Sequence, residues 1–245
     1  MAYFVSDIHL VNGNDEKATK FLQFLRSLGH SRECSHIFLL GDIFNLWLSD
    51  YSYFQKRYQL IIDEIKRLVS EKIIVCYFEG NHDLYLKKFW QKQLGVQIHS
   101  GPCLTQLGPW KVRMEHGDQM DPTDTSHIFL RWFLRNSVVK FIGKAFPERV
   151  LIKAGEKFAD ISRSYRSGYK SQASETAKRK MLAHGRHVFS ETPFDILIAG
   201  HFHVHEDREV EINKKKFRLI NLGSWMEKKK VFLLTEVEGR WLDLS

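Results

Sequence analysis

The residues able to do chemistry recur in five short clusters. They are Asp7-Ile8-His9, Gly41-Asp42, Gly80-Asn81-His82-Asp83, His116-Gly117-Asp118 and Gly200-His201-Phe202-His203. From them Asp7, His9, Asp42, Asn81, His116, His201 and His203 offer two carboxylates, one amide oxygen and four imidazoles. All are nitrogen or oxygen donors, and no thiolate is among them. That set suits Mn, Fe or Zn better than Ca, which takes oxygens alone. Seven donors exceed what one transition metal holds, so they suit a pair of divalent ions that share Asp42. Asp7-x-His9 and His201-x-His203 have period-two spacing, which in extended backbone puts both side chains on one face. Two ions about 3.5–4 Å apart can activate a water and clamp the oxygens of a phosphorus centre. The leaving group then needs a proton or a positive neighbour. His82 stands beside the ligands, with Asp83 next in sequence as a candidate orienting partner. Hydrolysis of a phosphoester or phosphoanhydride is the chemistry implied.

Singly, each residue has a plainer reading. A lone His at a strand end is more often structural than a ligand, and His30, His36, His99, His127, His184, His187 and His205 are placed in that class. Asp7 alone could cap a turn, and Asn81 alone could be a left-handed turn residue. The five clusters together carry the metal reading. Asp118 and Asp83 are expected to support ligands rather than bind metal.

Each cluster follows an apolar run that reads as a strand, and open α/β sheets hold their ligands just past strand ends. The runs are Ala2–Val5, His36–Leu40, Ile73–Phe78, Lys111–Met114 and Phe194–Ala199. Between them, Ala18, Phe21, Leu22, Leu25 and Leu28 recur at helical spacing, and Gly29 suits that helix's end. The spacing predicts further helices over about Phe54–Ser70, Lys88–Leu94 and Lys170–Arg186. Apolar Ile43–Trp47 is read as a loop, Leu104–Leu107 and Lys111–Met114 as a hairpin around Gly108-Pro109. Strands are expected over Val210–Ile212, Phe217–Asn221, Val231–Glu236 and Trp241–Leu244. Strand–helix alternation argues a layered α/β fold.

The 245 residues suffice for one domain, 1–245, with an insertion. That insertion, about 124–168, reads as two basic amphipathic helices forming a cap. Residues 126–180 hold 13 Lys and Arg against four Asp and Glu, a net of +9; with +8 overall, the rest of the chain carries −1. Such a patch implies phosphate, nucleic acid or an anionic membrane, against the alternative of a merely solvated helical face. Its aromatics read as an apolar helical face rather than stacking platforms, so nucleic acid is not the expected partner. No stretch reaches the apolar length of a membrane span. The opening residues read as a strand rather than an export signal, and three cysteines without CxxC spacing read as reduced thiols. A cytoplasmic location is expected.

At the five clusters the sequence resembles the calcineurin-like metallophosphoesterase superfamily, with its pattern D-x-H, G-D, G-N-H-D, H and G-H-x-H. The resemblance implies an αββα sandwich with a dimetal site at one edge. It implies one metal on Asp7, His9, Asp42 and His203, and the other on Asp42, Asn81, His116 and His201. Within the superfamily the chain is most similar to the UDP-2,3-diacylglucosamine diphosphatases of lipid A biosynthesis. Gly41-Asp42-Ile43-Phe44-Asn45-Leu46-Trp47, His116-Gly117-Asp118 followed by Asp121 and Asp124, and the basic insertion ending in Ser162–Lys170 carry this likeness. It implies Mn as the metal, a lipid-linked nucleotide diphosphate substrate, and a peripheral place at the inner face of the cytoplasmic membrane. It also implies substrate contacts from Trp47, Asp124, Ser164, Arg166 and Lys170, with Arg163 nearby. His82 is the superfamily residue, where members of that enzyme family carry Arg, and Asn45 stands where an acid is common. A metallophosphoesterase acting on a nucleotide, phosphoprotein or other lipid is therefore the alternative. The physics of the insertion agrees with lipid: burial is worth about 0.8 kcal/mol per methylene, and each basic residue near anionic head groups about 1 kcal/mol.

Overall fold

The computed structural model describes residues 1–28, 33–121, 149–157 and 170–244, with the side chains of 170–173 outside that set. Two sheets lie face to face. The first has six strands, in the order β13 (Gly239–Asp243), β12 (Lys230–Leu234), β1 (Ala2–Val5), β2 (His36–Leu39), β4 (Ile74–Phe78) and β6 (Gln97–His99). The second has five, in the order β10 (His205–Ile212), β11 (Lys215–Leu222), β9 (Ile196–Ala199), β8 (Trp110–Glu115) and β7 (Cys103–Leu107). Pairing of β1 with β2, β2 with β4, and β8 with β9 is parallel, so the five ligand-bearing strands end at a common edge.

Strands β1, β2, β4 and β9 are largely apolar because both of their faces are covered. In β2, Phe38 joins the core between the sheets while Ile37 and Leu39 face the helical layer; β4 alternates likewise, with Cys76 and Phe78 inward and Val75 and Tyr77 outward. Helices α1 (Glu16–Leu28) and α3 (Gln59–Ser70) cover the first sheet through Phe21, Leu25, Ile61 and Ile65. The long helix from Lys170 to Glu191 covers the second through Met181, Val188 and Phe189. That is the αββα layering the family resemblance implies. Asp15 caps α1, its Oδ1 accepting the Ala18 N–H at 2.8 Å.

Three local expectations are corrected. The helix predicted over Phe54–Ser70 is two, α2 (Ser52–Arg57) and α3, broken at Tyr58, whose φ of −115° leaves the helical range. Its ring is buried, and its hydroxyl donates to Leu10 O at 2.7 Å. Ile43–Trp47 is not simply loop: Leu10 bridges Phe44, and β3 (Trp47–Leu48) pairs in parallel with β5 (Asp83–Leu84). The helix predicted over Lys88–Leu94 is a 3-10 turn, Leu86–Lys88, entered from left-handed Tyr85. Short β6 is an addition. The cap expected at 124–168 lies mostly outside the described residues. Its described part, 149–157, is helical (α4, with the Lys170–Glu191 helix as α5). There Ile152 joins the first core, Gly155 lies against Leu46, and Glu156 pairs with Arg57.

Candidate metal centre

The ends of β1, β2 and β9 turn sharply and aim their polar residues into one place. Asp7 (φ 50°), His9 (50°), Asp42 (53°), His201 (70°) and His203 (57°) are all left-handed, a region uncommon for residues other than glycine, in which Asp and His are enriched. Two glycines admit close approach between ends. A Cβ on Gly80 would collide with the Asp42 carboxylate, and one on Gly200 with Asp7 Oδ2 and Ser6.

The structure brings all seven expected ligands together in two half-sets. In one, His9 Nε2 lies 3.0 Å from His203 Nε2, and Asp7 Oδ1 lies 3.2 Å from His203 Nε2 and 3.9 Å from His9 Nε2. In the other, Asn81 Oδ1 lies 3.2 Å from both His116 Nε2 and His201 Nδ1. Asp42 Oδ2 stands between the two, 3.9 Å from His9 Nε2 and 3.6 Å from His116 Nε2. Asp7 and Asp42 are fully buried, yet Asp7 Oδ1 and Asp42 Oδ2 have no hydrogen-bond partner. A buried carboxylate oxygen without a partner is costly, and a cation among these donors removes that cost. Imidazole nitrogens and carboxylate oxygens converging at this spacing fit a divalent transition metal.

Electrostatics point the same way. Burial opposes charge on Asp7, but His203 close beside it and the other surrounding imidazoles hold its carboxyl below the usual range. Asp42 is likewise held down, as His116, His82 and His9 outweigh its burial. Burial drives His9 well below an ordinary imidazole, leaving it neutral with a lone pair to give. His116 is raised despite burial, because Asp42, Asp7 and Asp118 surround it. Its Nδ1 lies 2.8 Å from Leu40 O, which can only accept, so Nδ1 carries the proton and Nε2 faces the centre.

His82 sits beside His9, ring centroids 4.9 Å apart, and is 5% exposed. Its orienting partner is not Asp83. Nδ1 meets Asn45 O at 2.7 Å, while Asp83 turns away to Ile43 N, Phe44 N and Tyr77 Oη. Burial and the nearby Asp42 charge push Asp83 upward, against the three donors it accepts. Trp47, expected at the substrate, is fully buried among Phe44, Tyr58, Phe89 and Trp90, with its indole N–H given to Ser49 O at 2.7 Å. Its surface is spent on the core, which corrects that expectation. Asp124, Arg163, Ser164 and Arg166 lie outside the described residues. Lys170 opens α5, its side chain outside the description.

Sequence reasoning missed several residues that hold this edge in shape. Lys17 Nζ donates to Ile8 O at 2.6 Å and His9 O at 2.7 Å. Ser224 Oγ lies 3.2 Å from Asp7 O, and Asn221 Nδ2 donates to Gly200 O at 2.6 Å; both side chains are buried. Asn221 lies at the apolar end of β11 and Ser224 just past it, so the strand-end signal that marked the ligands was present for them too. Lys17 carried no such mark.

A sandwich with this carboxylate–imidazole set at one edge defines a metal-dependent phosphoesterase. The chain belongs to the calcineurin-like phosphoesterase family, whose family model matches residues 2–205. It is a hydrolase of that family and uses divalent metal. The chain is 26% identical, over 92% of its length and 88% of the relative's, to a UDP-2,3-diacylglucosamine hydrolase of Pseudomonas fluorescens (strain Pf0-1). Against the enzyme of that name from Haemophilus influenzae (strain PittGG) the identity is 26%, covering 98% and 97%. A solved archaeal phosphodiesterase overlays with a TM-score of 0.49 at 13% identity, covering 99% of this chain and 98% of that one. No helix among the described residues is long and apolar enough to cross a membrane.

Proposed function

We propose that the protein hydrolyses the pyrophosphate of UDP-2,3-diacylglucosamine, releasing UMP and 2,3-diacylglucosamine 1-phosphate, with two manganese ions at the centre. The observation that carries the chemistry is the pair of unpartnered buried oxygens, Asp7 Oδ1 and Asp42 Oδ2, set among imidazoles. The likeness to UDP-2,3-diacylglucosamine hydrolases along nearly the whole chain supports the substrate. One ion would take Asp7, His9, Asp42 and His203; the other would take Asp42, Asn81, His116 and His201. Divalent ions held there supply charge stabilisation for phosphoryl oxygens and an acidified water.

The chain's own residues do the rest. Because Asn45 O can only accept, His82 keeps a proton on Nδ1 and exchanges protons through Nε2. In the imidazolium form it can donate to the leaving oxygen beside His9. The basic insertion, with Asp124, Ser164, Arg166 and Lys170, would hold the sugar phosphate and lie against the anionic inner face of the membrane. Its apolar face would shelter the acyl chains.

The test is turnover of UDP-2,3-diacylglucosamine by purified protein with Mn²⁺. Asp42→Ala should fold and lose at least about a thousandfold in rate, about 4 kcal/mol, on the scale of the charge stabilisation a metal supplies. An unchanged rate in that variant would sink the site. A second reading rests on His82 in place of the Arg of well-known family members: the same chemistry on a nucleotide, phosphoprotein or other lipid diphosphate. Faster turnover of small soluble phosphoesters in a substrate panel would favour it.

A further inference from the structure

One carboxylate lies beneath the centre without entering it. Asp83 is wholly buried, and its oxygens take three donors: Ile43 N–H at 2.8 Å and Tyr77 O–H at 2.7 Å on Oδ2, and Phe44 N–H at 3.3 Å on Oδ1. Gly41 and Asp42 have successive positive φ, 85° and 53°. The turn that follows aims the successive N–H groups of Ile43 and Phe44 into one concavity, of the kind that suits an anion. Here the chain fills it with its own carboxylate.

The segment after Asp42 answers in kind. Asp42 Oδ1 accepts the His82 N–H at 2.9 Å, and His82 O accepts the Trp47 N–H at 2.9 Å. The His82 ring meets Asn45 O at 2.7 Å. Residues 42–47 and 82–84 are thus tied from both sides. Two consequences bear on chemistry. The His82 N–H occupies Asp42 Oδ1, so Oδ2 is the oxygen left facing both His9 and His116. And the carbonyl that fixes the His82 proton belongs to the stretch that Asp83 holds.

We propose that Asp83 is a positioning residue: by anchoring Ile43 and Phe44 it makes Asp42 present one oxygen to both half-sets and holds the Asn45 carbonyl on His82. This rests on the ligand and proton-donor roles proposed above. Sequence adjacency suggests that Asp83 orients the His82 ring directly. The geometry instead routes its effect through the facing loop.

The test compares apo-protein variants by calorimetric titration with Mn²⁺ alone, and the loaded enzymes on bis(p-nitrophenyl) phosphate. Asp83→Asn should lower both Mn²⁺ affinity and kcat by about tenfold or more with KM within about twofold, the scale of losses when groups behind metal ligands are removed. Tyr77→Phe, which removes one donor to the same carboxylate, should move both in the same direction by about two- to fivefold. Trp90→Phe is the control: it sits in the same buried cluster, its ring 5.4 Å from Tyr77, and touches none of these hydrogen bonds. It should lower Tm while leaving Mn²⁺ affinity and kcat unchanged. If wild-type protein binds no Mn²⁺, the metal reading itself fails and this role with it. If wild type binds and Asp83→Asn binds equally, or its loss only follows Tm as in Trp90→Phe, the positioning role alone is overturned. Should Asp83→Asn not fold, Tyr77→Phe decides: unchanged affinity and kcat overturn the role, and a matched fall in both upholds it.

Discussion

At the scale of single residues, the ligands are held less by their own side chains than by groups that hold the backbone beneath them. Asp7 and His9 occupy left-handed conformations that cost of order 1–3 kcal/mol where nothing compensates. Lys17 compensates: its ammonium reaches the carbonyls of Ile8 and His9, within the loop those two residues bound. Hydrogen bonds to a charged donor are among the stronger ones, roughly 1.5–3 kcal/mol each. Lys17→Met keeps the stem and removes both bonds. It should lower unfolding free energy by about 2 kcal/mol in urea titration and weaken Mn²⁺ binding, although Lys17 touches none of the proposed ligand atoms. An unmoved urea midpoint together with unmoved affinity would count against this role. Lys17 also shows why part of the site was illegible. Its aminoalkyl chain joins a helix to carbonyls eight and nine residues away, and carbonyls have no sequence signature. The same holds for His82, whose partner is the main chain of Asn45. Trp47 failed for a different reason: a tryptophan near a motif reads equally well as a substrate plate or as core, and only packing decides.

At the scale of elements, the strands were legible because both faces are buried. Continuous apolar runs ended by Asp, Asn or His gave β1, β2, β4 and β9 and the ligands at their ends. What escaped was short or exposed. β6 has three residues, none fully buried, and the break at Tyr58 depends on a tertiary hydrogen bond. Burial within strands also sets the chemistry of the thiols. Cys76 on β4 is pushed up to about 12 by burial and by nearby Cys103, from an ordinary 9.0. Cys34, leading into β2, is pushed up to about 11, burial outweighing the N-terminal charge. A raised thiol keeps its proton in the folded state after the unfolded chain has lost it. Protons then favour the fold, and stability falls as pH rises above about 9. The Cys76 contribution should decline by about 1.4 kcal/mol per pH unit between pH 9 and 11. Cys76→Ala should flatten that decline relative to wild type in urea titrations at pH 8, 9, 10 and 11. Parallel curves for the two proteins would refute the assignment.

At the scale of the molecule, the centre is built across the seam of the sandwich. The first sheet contributes Asp7, His9, Asp42 and Asn81 from the ends of β1, β2 and β4; the second contributes His116, His201 and His203 from β8 and β9. Ions in this place would cross-link the two sheets, as well as discharge two buried carboxylates. The sandwich does not depend on them to close. Phe4 and Phe38 stack at 4.8 Å in the core between the sheets, with Phe78, Ile198 and Phe232 about them. Loss of metal should therefore loosen one edge without collapsing the fold. Binding to the folded state alone stabilises by about 2.7 kcal/mol at a hundredfold excess over Kd. For a chain of this size that corresponds to roughly 5–10 °C in Tm. EDTA should lower Tm by that amount, leave the far-ultraviolet circular dichroism at 25 °C unchanged, and be reversed by added Mn²⁺. In Asp42→Ala, which removes the oxygen shared by both half-sets, the chelator should shift Tm far less. A wild-type Tm indifferent to EDTA, or an equal shift in Asp42→Ala, would mean that no ions join the sheets through this residue.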